Sequence, residues 1–424
     1  MLDVKRIREE PQAVREALAS RGGPWADEFD VLLGLDRRWR EATQEVNGLR
    51  ERRNKASLEI AAMEDKAARA AKVEEVRGLK ERLSALEAEL KDLTGRRERL
   101  LLELPNTPDP SAPRGKDTAE NVEVRAWGTP EDLGFPPKDH AALGEALGII
   151  DFGRGVKLAG EGFYALVGWG ARLERALIQF FLDEAWARGY TEVMPPFLVT
   201  EETATGTGHL PKNADDMYLI ERDRMALVPT AEVPLTSFYR GDLILASQLP
   251  VKLCAYTPCW RREAGRNTDT RGLIRVHQFN KVELLKITAP EQAWRELDGL
   301  TGDAEAVLQK LGLPYRVVEL CTGDLGFAAA KTYDIEVWLP SQGAYREVSS
   351  CSCFTDFQAR RAGLKYREKE GQVGALPYTL NGSGLAVGRT LVAVLENYQR
   401  ADGSVEVPRA LRPYVGGASE VRAQ

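Results

Sequence analysis

The sequence predicts an α+β protein in two parts. An antiparallel helical hairpin of coiled-coil type comes first, and a longer domain of irregularly alternating strands and helices follows. Three observations carry this reading: two rows of apolar residues at three-four spacing between residues 32 and 104, a proline- and glycine-rich break at 105–115, and a strand, polar loop and strand around residues 260–283. At 424 residues the chain exceeds one ordinary core, which favours more than one domain.

The first row runs Leu32, Leu35, Trp39, Ala42, Val46, Leu49, then Ala56 and Ile60, with Arg53 interrupting it. The second runs Val76, Leu79, Leu83, Leu86, Leu90, Leu93, then Leu100 and Leu104, interrupted by Arg97. Sustained three-four spacing is the seam of a coiled coil. An alanine- and charge-rich stretch near Met63–Ala71 separates the rows, so an antiparallel hairpin with its tip there is the economical solution. Residues 37–104 hold 17 Lys and Arg against 14 Asp and Glu, in a chain whose net charge is −6. A mildly basic rod on an acidic protein fits either a dimerisation coiled coil or a rigid support for phosphate contacts. The expected organisation is residues 1–104 as the helical domain, 105–115 as a linker, and 116–424 as the second domain.

Composition narrows the class. Hydrophobic content of 43% and charged content of 29% fit a globular protein, and the acidic balance argues against a protein that coats nucleic acid. The first residues, Met1 to Arg6, lack the apolar core of a signal peptide, and no apolar run approaches membrane-spanning length. Five cysteines, an odd number in a long chain, suggest reduced thiols and a cytoplasmic location. Cys351-x-Cys353 lacks the spacing of a zinc knuckle, and three histidines supply no paired ligands.

In the second domain, helical periodicity at Arg172–Arg188 predicts Leu173, Leu177, Phe180, Phe181 and Trp186 packed inward. Gly189 to Phe197 reads as a helix exit, a strand and a proline break. Thr230 and Glu232 follow the short strand Ala226–Val228. They suit either a helix cap or a hydroxyl and carboxylate that receive an ammonium group. In the hairpin, period-two alternation places Arg261 and Glu263 on one strand face, and Arg275, His277, Phe279, Lys281 and Glu283 on one face of the next. Arg266 and Arg271 lie in the loop between them. Arginines pair with phosphate, an aromatic stacks on a base, and a carboxylate holds an ammonium or hydroxyl. His277 reads first as a neutral strand histidine. Tyr333–Trp338 and Ala344–Ser350 read as neighbouring strands, with Glu347 and Ser350 as hard oxygen donors. Asn381 to Arg389 opens an apolar helix ending near Asn397. No glycine-rich phosphate loop occurs, so nucleotide binding would rest on side chains.

Taken together, Trp260–Gly265 with Arg271–Glu283 resembles motif 2 of the class II aminoacyl-tRNA synthetases, in the form of the seryl family. Gly189–Phe197 is similar to motif 1 and Asn381–Arg389 to motif 3. The resemblance covers nearly the whole chain, arm included; Cys351-Ser352-Cys353-Phe354 departs from the family's Cys-Ser-Asn-Cys wording. It implies a class II domain built on a mainly antiparallel sheet with flanking helices. The implied activity is ATP-dependent formation of seryl-adenylate, then transfer to the tRNA for serine, with the tRNA for selenocysteine as a further candidate. Arg261 and Arg389 would be catalytic, on the α- and γ-phosphates. Thr230, Glu232, Glu283 and Ser383 would bind L-serine. Arg261, Arg262, Glu263, Phe279, Glu347, Val348, Ser349, Ser350 and Arg389 would bind ATP, and Glu347 with Ser350 would hold Mg²⁺. Motif 1 implies a homodimer, and the arm implies a grip on the long variable arm of the tRNA. A non-catalytic RNA-binding protein and a relative that charges a carrier protein are the alternatives. The first has no need of Arg261, Glu283 and Arg389 together, and the second should lack the arm.

Overall fold

The computed structural model describes residues 1–264 and 272–423, and falls into two compact units. One comprises Leu2–Ala19 and Gly23–Pro105; the other comprises Met1, Ser20–Gly22 and Asn106–Gln424. Arg266 and Arg271 of the predicted loop lie outside the described residues.

In the first unit, helices α1 (Trp25–Ala62) and α2 (Lys66–Glu103) pair side by side. Each has 38 residues, about 57 Å of helix at 1.5 Å per residue. The turn is tighter than the alanine-rich stretch suggested. Only Met63–Asp65 leave the helices, and the Asp65 carboxylate accepts the Ala67 N–H at 2.8 Å to start α2. The seam joins Leu35, Trp39, Ala42, Val46 and Leu49 to Leu79, Leu83, Leu86, Leu90 and Leu93. Arg97, which interrupts the second row, has a reason to be there. It donates to the buried Asp36 at 2.8 Å and lies over the Trp39 ring, 4.8 Å from its centroid. Arg8 also meets Asp36, at 2.8 Å. Burial alone would raise the Asp36 pKa, but the two arginines overcome it and hold the carboxyl below its ordinary range.

The second unit is organised by one eight-stranded sheet: β1 (Val122–Trp127), β2 (Thr191–Glu192), β3 (Val251–Trp260), β4 (Gln278–Thr288), β5 (Tyr315–Glu319), β6 (Lys331–Leu339), β7 (Ala344–Cys353) and β8 (Tyr378–Ala386). Their spatial order is β1-β5-β6-β7-β8-β4-β3-β2, and every pairing is antiparallel except β2 with β3. Helices α3 (Trp169–Ala187), α4 (Ala293–Leu311) and α5 (Val387–Asn397) share an apolar core with this sheet. On β4 the alternation is complete: Val282 and Leu284 enter that core, while Phe279, Lys281 and Glu283 line a cleft on the opposite face.

Three expectations are corrected here: the reach of the first hairpin strand, the start of the second, and the inward packing of Trp186. The first hairpin strand ends at Trp260. Beyond it the Arg262 N–H turns to the Asp216 carbonyl at 2.8 Å and Glu263 has φ +50°, so Arg261 and Glu263 share a cleft rather than a strand face. The second strand starts at Gln278, leaving Arg275 and His277 in the approach to it. Trp186 points outward and is 66% exposed; it sits in the last turn of α3, where the inward stripe has ended at Ala185. Residues 106–115, at the predicted linker, are bonded to their own unit. The Asn106 N–H donates to the Phe327 carbonyl at 3.0 Å, and the Thr322 N–H to the Pro113 carbonyl at 2.8 Å. Among the described residues no helix is long and apolar enough to cross a membrane.

Candidate active site

The cleft has a volume of about 390 Å³ and is lined by β4, β7, β8, the start of α5 and residues of the segments 207–209, 230–232, 261–263, 273–276 and 326–329. Eleven of the thirteen residues proposed from sequence line it. They are Thr230, Glu232, Arg261, Glu263, Phe279, Glu283, Glu347, Val348, Ser350, Ser383 and Arg389. Arg262 and Ser349 do not. Arg262 turns to the Asp215 carbonyl, and the buried Ser349 hydroxyl donates to the Ser383 carbonyl at 2.6 Å. Ser349 thereby braces β7 against β8 directly behind the cleft.

One end is buried and polar. Glu283 lies opposite Ser383 in the β4–β8 register and is 2% exposed. Its Oε2 accepts from Lys281 Nζ at 2.5 Å and from Thr230 Oγ1 at 3.1 Å. Thr230 Oγ1 also accepts the Glu232 N–H at 3.2 Å, which closes the turn before the helix Glu232–Thr236; the N-cap of that helix is Ala231, not Thr230, and the Thr230 hydroxyl faces the cleft. Glu232 Oε1 accepts from Gln358 Nε2 at 2.7 Å, and Gln358 is itself oriented by Thr379 Oγ1 at 2.7 Å. Burial pushes both Glu232 and Glu283 above the ordinary carboxylate range; for Glu283 the positive charge of Lys281 opposes that shift. Two carboxylates around one space can receive an ammonium group, and Ser383 beside Glu283 offers a partner for a hydroxyl.

The other end is open and cationic. Arg261 stacks over Phe279, 5.1 Å from the ring centroid, and is held by Nε to the Pro229 carbonyl at 3.2 Å. Among the described residues its terminal nitrogens make no hydrogen bond, which leaves them for an anion. Arg389 bonds the Ile274 carbonyl at 3.2 Å and the Glu347 carbonyl at 2.9 Å. Arg275 pairs with Glu263.

Residues 1–108 match the family described as the seryl-tRNA synthetase N-terminal domain, and residues 218–398 match the class II tRNA synthetase core domain (G, H, P, S and T). The chain is 54% identical to a serine–tRNA ligase of Pelotomaculum thermopropionicum over 99% of its length and all of that protein's. It is 51% identical to the Pelobacter propionicus serine–tRNA ligase over the full length of both. The chain belongs to the seryl-tRNA synthetase family. A crystal structure of the Pyrococcus horikoshii seryl-tRNA synthetase complexed with ATP superposes with a TM-score of 0.94 at 38% identity, each chain covered completely. The antiparallel class II sheet expected from motifs 2 and 3 is therefore the sheet observed.

Family membership directs attention to residues that the motif reading passed over. Lys281 sits on the same strand face as Phe279 and Glu283, so alternation had already placed it in the site without giving it a task. Asn381 is 4% exposed and lines the cleft, with its side chain toward Glu232; no local pattern marks it. His209 is half-buried at the polar end with Nδ1 2.9 Å from Thr207 Oγ1. Burial, then the charges of Arg261 and Lys281, push its pKa down to about 3, so it is neutral. His277, read from the sequence as a strand histidine, lies one residue before β4 and is hydrogen-bonded. Its Nδ1 is 3.0 Å from the Arg261 carbonyl, a contact that orients the backbone entering the cleft.

Proposed function

We propose that this chain activates L-serine with ATP and passes the seryl group to the tRNA for serine. The observation that carries this is the polarity of a single cleft: buried Glu283 and Ser383 with half-buried Glu232 at one end, and Arg261 over Phe279 with Arg389 at the other. In the first step a serine carboxylate oxygen forms a bond to the α-phosphorus as the bond to pyrophosphate breaks. In the second, a hydroxyl of the tRNA's terminal ribose attacks the seryl carbonyl carbon, and AMP leaves. Neither step needs covalent help from protein; alignment and charge stabilisation supply the rate.

Glu283, Glu232 and Thr230 hold the serine ammonium and hydroxyl, with Ser383 completing the hydroxyl's partners. Arg261 bridges the serine carboxylate and the α-phosphate. Phe279 offers a ring face to the adenine, Glu263 lies near its edge, and Arg389 receives the γ-phosphate. Alanine leaves Glu283 and Ser383 without a hydroxyl partner, which is worth up to ~10⁴-fold in discrimination.

The donor set also fits Mg²⁺. Glu347 and Ser350 are hard oxygen donors on one strand, and Asp334, paired with Ser350 across β6 and β7, has a buried Oδ1 without a partner among the described residues. Magnesium is held by one or two carboxylates with substrate phosphates and water. When bound it neutralises phosphate charge; Glu347 and Ser350 would hold it, and Glu347 already orients Arg389 at 3.4 Å. A homodimer through the region of Gly189–Phe197 accounts for the exposed Trp186 and for Met194, 85% exposed. The α1–α2 hairpin is the tRNA grip, the tRNA for selenocysteine is a second acceptor, and the location is cytoplasmic.

Arg389→Ala tests the reading. The variant should lose serine-dependent exchange of pyrophosphate into ATP by about 10³-fold or more while its tRNA affinity, measured by filter binding, stays within about twofold. Normal exchange by the variant would remove Arg389 from the phosphate site.

A further inference from the structure

Outside the cleft, one buried histidine links the segment that forms its wall to the helix that carries Arg389. His140 opens the helix His140–Ala146 and is 2% exposed. Its Nδ1 is 2.8 Å from Glu396 Oε1, and its Nε2 accepts the Leu273 N–H at 3.0 Å. An accepting Nε2 carries no proton, so the ring is neutral and Nδ1–H is the donor to Glu396. Glu396 is fully buried and also receives the backbone N–H groups of His140 at 3.1 Å and Ser341 at 3.2 Å. Gly272, at φ +98°, has no room for a side chain: a Cβ there would lie 2.0 Å from His140 Nε2.

Glu396 and Arg389 stand seven residues apart on α5, two turns along one face. Arg389 grips the Ile274 carbonyl, and Glu396, through His140, grips the adjoining Leu273 N–H. Consecutive residues are thus clipped to one helix at two points, where the chain re-enters the cleft. Leu273, Ile274, Arg275 and Val276 all line that cleft. We propose that His140 is a positioning residue for ATP: its Nε2 fixes the 273–276 wall to α5, setting Ile274 and Arg275 against the nucleotide and Arg389 against the phosphates. This rests on the assignment of the cationic end of the cleft to ATP.

Two conservative variants of the full-length enzyme separate the ring's two bonds. His140→Asn keeps a donor at the Nδ1 position for Glu396 and removes the acceptor for Leu273. His140→Gln keeps an acceptor at the Nε2 position and removes the donor. In the pyrophosphate exchange assay, His140→Asn should raise the KM for ATP about fivefold or more, with the KM for serine within about twofold of wild type. His140→Gln should keep both KM values within about twofold while lowering the melting temperature at least as much, because Glu396 loses a buried donor. An unchanged KM for ATP in His140→Asn, or an equal rise in both variants, overturns the proposal. If either variant fails to fold, ¹⁵N spectra of wild-type imidazoles decide, since the chain has three histidines. A neutral His140 with a bare Nε2 bonded to an N–H supports the tether; a protonated Nε2 refutes it. Wild-type enzyme without serine-dependent exchange would instead defeat the functional assignment, and the spectra would still test the tether.

Discussion

Glu174 shows how one buried group sets a pH dependence that sequence alone does not reveal. It lies on α3, 5% exposed, with Oε1 accepting from Asn280 at 3.0 Å and Oε2 without a partner among the described residues. Burial raises its pKa from 4.5 to about 7. A raised carboxyl pKa means the native state favours the neutral form. Below about pH 4.5 the group is neutral folded or unfolded and costs nothing; the cost grows through the window and is complete above about pH 7. Glu174→Gln keeps an acceptor for Asn280 and removes the charge, so it should stabilise by about 3 kcal/mol at pH 8.5 and by far less at pH 5. Denaturant midpoints at the two pH values check this, and an equal gain at both would mean that ionisation is not the cause. The chemistry-bearing residues were legible where their pattern was local, as with Phe279, Lys281 and Glu283 alternating on one strand. Asn381 was not, because only the β8 register brings its amide into the cleft. Extending the strand alternation past Trp260 failed for a physical reason: Glu263 takes a left-handed backbone that no alternation rule anticipates.

At the scale of elements, the arm was the most readable part, since a coiled-coil seam repeats the same short-range signal many times. Even its irregularity had meaning: Arg97 breaks the apolar row to satisfy Asp36, beneath Trp39. That cluster marks where the arm can be shortened without uncapping its base. Removing residues 45–89 and joining Gln44 to Leu90 through a short Gly/Ser turn keeps the contacts of Asp36 with Arg8 and Arg97, and the Trp39–Thr94 hydrogen bond. The shortened protein should keep serine-dependent exchange within about twofold. Its kcat/KM for tRNA charging should fall about a hundredfold, with a shallower dependence on salt. Undiminished charging would return the arm to a purely structural role. Trp186 marks the opposite case, an apolar residue at the end of an amphipathic helix that periodicity assigns inward and the structure turns outward.

For the whole molecule, the site is assembled by topology more than by sequence proximity. Thr230, Glu283 and Ser383 are separated by as many as 153 positions, yet the β4–β8 register sets Glu283 opposite Ser383 and Thr230 bonds Glu283 directly. The functional class was nevertheless readable, because the motif segments keep their wording and order along the chain. The central claim is that the buried polar end of this cleft selects serine. Its most direct test is pyrophosphate exchange into ATP with serine, and with alanine, threonine, glycine and cysteine offered singly and in competition. The account predicts strong exchange with serine, and exchange with alanine weaker by about 10³-fold or more. Comparable exchange with alanine would contradict it, because Glu283 and Ser383 would then have no part in choosing the substrate.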